Sequence, residues 1–268
     1  MNRVSLNIKN NKELVIDSNN RFLLDVKEIN SPLKIKLEKG ISAYILIINI
    51  DKEINLTFDA DEGSSLTLSV LAENSAKPMK ITANMAYSSK FAGYLADFFK
   101  GSCKGEITIN LNGENSTCEW HLASLSDHDS HKEFDVSVFH NKMNTFATMD
   151  NYGVCCDEAK LIFSGISKIE KGSSSSKTHQ NAKIMVFDEK SNGIAKPILK
   201  IDENDIEASH AAIVGKISDE HIFYLTSRGL TEDEAKQLIT FGYLKPIMNG
   251  FIEEEIKGEI SSLIERRM

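Results

Sequence analysis

A period-two alternation of apolar residues runs through most of this chain and limits what it can become. It is visible in Val4-Leu6-Ile8, Leu14-Ile16, Phe22-Leu24-Val26, Leu33-Ile35-Leu37, Ile54-Leu56-Phe58, Leu66-Leu68-Val70 and Ile107-Ile109-Leu111. Successive side chains of a strand leave on opposite faces, so this spacing predicts strands with one buried face. Asn10-Asn11, Asn19-Asn20, Lys39-Gly40, Asp59 to Gly63 and Asn112 to Asn115 are turn formers that separate them. Strands then begin roughly every ten residues, a spacing shared by sandwiches, barrels and β-helices. Two features lean toward a β-helix. The strand-like region is far longer than the roughly 100 residues of one sandwich. Asn-Gly and Asp-Gly pairs are also scarce, so tight antiparallel hairpins do not dominate. No strict sequence repeat is visible. Residues 83–103 (Ala83, Tyr87, Phe91, Tyr94, Leu95, Phe98, Phe99) fit either an aromatic-rich strand pair or a short helix. Lys171 to Thr178 fits either a flexible linker or an ordered turn.

At Ser218 the period changes. Ser218 is an N-cap candidate and Gly229 a C′ candidate after Arg228. Thr231 and Glu234 form the two ends of a capping box. Ala235, Leu238, Ile239 and Tyr243 then follow at the spacing of one helix face. Beyond Pro246, Ile252, Ile256, Ile260 and Ile264 recur every four residues, with Glu253 to Glu255 leading and Arg266-Arg267 trailing, the charge order a helix dipole favours. The expected organisation is a β-helix core over residues 1–217 and a helical segment over 218–268.

Composition excludes several function classes. The formal net charge is -8 and no basic run occurs, which argues against nucleic acid or an anionic membrane as partner. The most apolar stretch, Ile41 to Ile50, falls far short of the roughly 20 residues a membrane helix needs. The first residues lack the apolar core of a signal peptide, so a cytoplasmic location is expected. Four cysteines (Cys103, Cys118, Cys155, Cys156) show no zinc spacing and are expected as buried small apolar residues. No phosphate-binding glycine loop, G-x-S-x-G or H-E-x-x-H motif occurs, so no enzyme with a familiar nucleotide or hydrolase site is expected.

Three groups of residues remain as sites. Asp127-His128-Asp129-Ser130-His131, with His121 before and His140 after, carries donors that suit a transition metal, although its turn-prone composition also fits a solvated loop. Asp127, Asp129 and Asp157 are the carboxylates that a polysaccharide-active β-helix enzyme, the alternative reading, would use. His210 sits among small residues in Ala208-Ser-His-Ala-Ala212, and composition alone gives it no role.

The flanks of His210 change that. Ser209-His210-Ala-Ala-Ile-Val-Gly215, then Glu220, Tyr224-Leu-Thr-Ser-Arg228-Gly229, Glu234-Ala235 and Phe241-Gly-Tyr243, resemble the C-terminal signature of the SufB/SufD family. The similarity continues upstream through Gln180-Asn181 and Lys196-Pro197-Ile-Leu-Lys-Ile201, covering roughly the last hundred residues. It implies a SufD-like, non-catalytic scaffold in the SUF system of iron–sulfur cluster assembly: a right-handed parallel β-helix followed by a C-terminal α-helical subdomain. It also implies pairing with a SufB or second SufB/SufD chain, and docking of a SufC-type ABC ATPase on the helical segment. Tyr224, Arg228, Gly229, Glu234, Ala235, Leu238 and Tyr243 would serve that docking. His210 would lie at the interface between sister chains, near a transient iron–sulfur cluster that this chain does not hold tightly by itself. Three departures stand out. Ala208 occupies a place where members often carry cysteine, Ala211 replaces a glycine, and the sequence opens on strands rather than on the helical region many SufD proteins have.

Overall fold

A computed structural model of the chain describes residues 4–5, 12–28, 30–73 and 77–267. Leu6, Ile8, Asn10 and Asn11, named above for the first strand and its turn, lie outside the described residues. Strands alternate between two sheets, and every pairing is parallel between strands two apart in sequence. One sheet holds, in spatial order, β1 (Val4–Ser5), β3 (Asn20–Asp25), β5 (Ser42–Ile48), β7 (Ser65–Ala72), β9 (Lys90–Asp97), β11 (Thr117–Ser126), β13 (Phe146–Cys155), β15 (Ser176–Val186) and β17 (Ile206–Lys216). The other holds β2 (Glu13–Ile16), β4 (Leu33–Leu37), β6 (Ile54–Ala60), β8 (Met79–Met85), β10 (Cys103–Leu111), β12 (His131–His140), β14 (Lys160–Ile169) and β16 (Asn192–Ile201). This is a parallel β-solenoid, the architecture toward which the length of the strand region and the scarcity of hairpin turns lean. In the undecided stretch 83–103, Phe91, Tyr94 and Leu95 lie in strand β9 rather than in a helix, with Tyr87, Phe98 and Phe99 in the connections, and Lys171 to Thr178 is an ordered turn running into β15.

The coil widens along its axis. Asparagine amides bond outward from turn to turn: Asn49 to Asp25, Asn84 to Asp59, Asn110 to Asn84, Asn141 to Asn112 and Asn181 to Asp150. These partners lie 24, 25, 26, 29 and 31 residues apart. Strands lengthen in step, from four residues in β2 to 11 in β15 and β17. One corner is built the same way in each turn. Gly40, Gly63, Ser88, Asn115, Asn144 and Ser175 all take positive φ, from 53° to 72°. Each donates its N–H to a carbonyl of the next turn, as Gly63 does to Tyr87 at 2.8 Å and Ser88 to Glu114 at 2.8 Å. A buried hydroxyl follows in five of them (Ser64, Ser89, Ser116, Thr145, Ser176). The first four of these hydroxyls donate back to the carbonyl three residues earlier, which closes the turn without leaving that acceptor bare.

Inside the coil the alternating Ile, Leu, Val and Phe side chains form one continuous apolar stack. A second apolar cluster lies outside it, where the helical segment folds back along the outer face of the nine-stranded sheet. The segment comprises α1 (Asp219–Thr226), α2 (Glu232–Leu244), a 3-10 turn (Lys245–Gly250) and α3 (Glu254–Glu265). Leu244, Ile247, Phe251, Ile256, Ile260 and Ile264 cover Leu46, Leu71, Phe98, Leu125 and Val154 of the sheet. Gly250 is required at this seam, because any Cβ there would overlap the Tyr94 ring. Ser218 accepts from the Glu220 N–H as N-cap, and both arms of the Thr231–Glu234 capping box are present. Gly229 has φ 100°, but Ser227 is the C-cap, so Arg228 takes the C′ place and the glycine expected there sits one residue beyond it. No helix among the described residues is long and apolar enough to cross a membrane.

Candidate assembly face and helical surface

The solenoid stops at β16 and β17, and among the described residues no strand lies beyond either. In a parallel coil, residues in register share a face, so the inward residues of β17 can be read from β15. Ser176, Thr178, Gln180, Ala182, Ile184 and Val186 are buried and stand opposite Ile206, Ala208, His210, Ala212, Val214 and Lys216. His210 therefore lies on the lumen side of the last turn, directly past Gln180. With no further turn to cover it, it is exposed. Apolar residues of the two edge strands are left open as well: Val214 is 44% exposed, Ile213 on the other face 57%, and Ile198 and Ile201 of β16 are exposed too.

The floor beneath His210 is polar. Gln180 Nε2 donates to Ser167 Oγ at 2.6 Å and to the Ile198 carbonyl at 3.2 Å, and Thr178 Oγ1 donates to Ser167 Oγ at 2.9 Å. On the outer face His179 Nδ1 lies 2.8 Å from Ser209 Oγ, with its Nε2 3.7 Å from Glu207. The Cys155 thiol touches this turn at the Asn192 carbonyl of β16, 3.8 Å away. All four cysteines are buried, as expected. Burial pushes each thiol pKa up, Cys155 to about 11 and the other three further, so all are protonated at neutral pH.

The helical residues divide into surface and support. Nothing on α1 is buried: Phe223 is 74% exposed, Tyr224 is exposed, and the Arg228 guanidinium lies 4.6 Å from the Tyr224 ring. Arg228, Gly229, Leu230, Gln237, Leu238 and Phe241 help line an adjoining hollow of about 670 Å³. Two of the residues expected at this surface have other work. Ala235 is fully buried, and Tyr243 packs 5.7 Å from Tyr152 with its hydroxyl pKa pushed up to about 12 by burial, whereas Glu234 closes the capping box and also lines the hollow.

The remaining candidates do not converge. His121 faces outward, stacked 4.9 Å from Tyr94 with its Nδ1 3.6 Å from Asp150. His128 occupies a corner at φ 56°, His131 opens β12 on the surface, and His140 is buried in the lumen with Nδ1 2.8 Å from Thr145 Oγ1. Among the described residues no three His, Cys, Asp or Glu side chains are placed to hold a metal. The carboxylate trio fails as a hydrolytic site because Asp127 is buried and neutralised by Arg267, while Asp157 accepts from the His128 N–H. One pair escaped the sequence reading altogether: Lys132 and Asp97, both 0% exposed and 2.9 Å apart. Its signal was present, since Lys132 occupies an apolar place in the alternation that continues through Phe134, Val136 and Val138.

Comparison with known proteins adds an independent line. A family model described as the SufBD core domain of SUF-system FeS cluster assembly matches residues 35–243. The iron–sulfur cluster assembly protein SufD of Bacillus subtilis is 34% identical over 168 residues, 63% of this chain and 38% of that protein. SufD of Escherichia coli is 23% identical over 219 residues, 77% of this chain and 52% of that protein. SufB of Bacillus subtilis is 26% identical over 180 residues, 61% of this chain and 39% of that protein. The chain thus spans about two fifths to one half of these relatives.

Proposed function

The chain belongs to the SufB/SufD family of SUF-system iron–sulfur cluster assembly proteins, and from that premise we propose that it is a SufD-like scaffold subunit with no catalysis of its own. The observation that carries this is the open last turn, which presents His210 between two unpaired strand edges. Exposed edges invite pairing with another chain. A SufB or second SufB/SufD solenoid set end to end would satisfy the free backbone groups of β16 and β17 and cover Val214 and Ile201.

The cargo at that junction is a nascent iron–sulfur cluster. His210 supplies one imidazole to it, and Ala208 and the buried thiols mean that the sulfur ligands come from the sister chain. ATP is hydrolysed by a SufC-type ABC ATPase docked on α1 and the hollow beside Arg228 and Leu238. The exposed Phe223 and Tyr224 give that surface aromatic anchors of the kind that dominate interfaces.

Anaerobic co-purification with the ATPase and a SufB-type chain tests both contacts. Phe223→Asp with Tyr224→Asp is expected to lose the ATPase and keep the sister chain. His210→Ala is expected to keep both partners and lower the iron and sulfide recovered. An ATPase retained by the first variant removes α1 from the docking site. Unchanged iron content in the second removes His210 from the mechanism.

A further inference from the structure

Among the described residues the lumen carries one strongly charged place, and it is closed from outside by the helical segment. Lys132 stands in the inward column Cys103–Lys132–Leu161. Its ammonium donates to Asp97 Oδ2, the Phe99 carbonyl and the Leu125 carbonyl, each at 2.9 Å, and Ser124 Oγ adds a bond to Asp97 at 2.5 Å. The Phe99 carbonyl has a second donor. Arg267, just past α3, gives it Nη1–H at 2.7 Å while its Nε and Nη2 grip the Asp127 carboxylate. The side chains of Arg267 and Asp127 are each only 4% exposed. Four charges thus form one buried chain, Asp97–Lys132–Arg267–Asp127, joined at a single carbonyl oxygen that both a lumen residue and a helical-segment residue require. The same corner holds three buried polar atoms without a protein partner, Asp97 Oδ1, Ser126 Oγ and Ser130 Oγ. Groups of this kind are usually met by water, so the corner is polar enough to hydrate once it is opened.

We propose that Arg267 is a latch which couples seating of α3 to closure of the Asp97–Lys132–Cys103 corner, so that a pull on the helical segment opens that corner of the lumen. The seated state is all or none. A guanidinium withdrawn from Asp127 leaves a buried carboxylate with only the exposed His128 Nδ1, 3.5 Å away, and that carboxylate is stable only if water enters. The opposite end of the helical segment, α1, has no buried residue and is free to be gripped. The source of the pull rests on the reading above, in which an ATPase binds α1. The latch itself does not depend on it.

Thiol labelling of the full chain, resolved by peptide, tests the latch first without any partner. Cys103 stands in register with Lys132 at this corner. Cys118 is enclosed near the start of β11 and serves as the internal control. Arg267→Ala and Asp127→Asn are expected to raise the labelling rate of Cys103 by about tenfold or more, with Cys118 unchanged. The milder Arg267→Lys, which cannot span both acceptors of the fork, is expected to fall between them and the parent. An unaltered Cys103 rate overturns the latch, as does a matched rise of Cys103 and Cys118, which reports general unfolding. In the second arm, ATPase and ATP added to the parent chain are expected to speed Cys103 labelling. If only this arm fails, the latch stands and the ATPase is rejected as its driver.

Discussion

Replacing Lys132 with methionine gives a sharp test of how this lumen tolerates charge. Methionine keeps most of the side-chain length and removes the ammonium with its three hydrogen bonds. The Phe99 carbonyl still has Arg267, but the Leu125 carbonyl loses its side-chain donor, and Asp97 is left with Ser124 alone against a fully buried negative charge. Contact of the ammonium with the Phe99 ring, 4.2 Å from its centroid, is lost as well. Breaking one side of a buried pair costs about 3–5 kcal/mol. At a urea m-value of about 3 kcal/mol/M that moves the unfolding midpoint down by about 1–1.7 M. Trp120, the single tryptophan and fully buried in the same stack, reports the transition by fluorescence. Lys132→Met combined with Asp97→Leu removes both charges, and such a pair of apolar replacements is often neutral or stabilising. The double variant is therefore expected within about 1–2 kcal/mol of the parent, well above the single. A single variant costing less than about 1 kcal/mol, or a double no better than the single, would refute the argument that an uncompensated Asp97 is the dominant cost.

Three other outcomes follow from the packing and the buried titrating groups. Gly250→Ala drives a methyl group into Tyr94 and is expected to cost about 1–3 kcal/mol while leaving the solenoid intact, read as faster proteolytic cleavage within 245–254. Burial lowers the His140 pKa from 6.5 to about 4, so its stability is fully present above pH 6.5 and is lost as pH falls toward 4. The loss approaches about 3 kcal/mol, and His140→Asn should flatten that acid slope in urea titrations. Burial, then the adjoining Glu259, raises the Glu73 carboxyl pKa from 4.5 to about 7, so stability is greatest below pH 4.5 and falls as pH rises through 7. With solvent screening at this half-buried site the effect is about 1 kcal/mol, and Glu259→Gln is expected to reduce it while the part due to burial remains.

Strands were legible because each has one face on the apolar stack, so Ile54-Leu56-Phe58 announces both its conformation and its orientation. The helical segment was legible for a different reason: Thr231, Glu234 and the four-residue isoleucine spacing are local signals. The repeat stayed hidden because its period drifts, from 24 residues between Asp25 and Asn49 to 31 between Asp150 and Asn181. What does recur is small, a left-handed residue followed by a buried Ser or Thr, and glycine, asparagine and serine all fill the first place. His210 had no local signal. An exposed histidine among alanines acquires meaning from the turn that is missing beyond it, and only its flanking resemblance pointed there. Lys132 was lost to a rule of thumb, since a lysine in a strand is read as solvent-facing unless its neighbours two residues on are weighed against it.

The widening of the coil has a consequence for how many copies can join. A cylinder has two alike ends and can be stacked without limit, but this molecule is closer to a cone. Head-to-tail addition would set the 10 residues of β16 against the four of β2, the two ends of the same sheet, leaving most of that edge uncovered. A second wide rim, placed mouth to mouth, would match it in length. Such an arrangement would use both rims at once, and growth through these edges would end at a pair rather than a filament. Taper would then act as a counting device written into turn length.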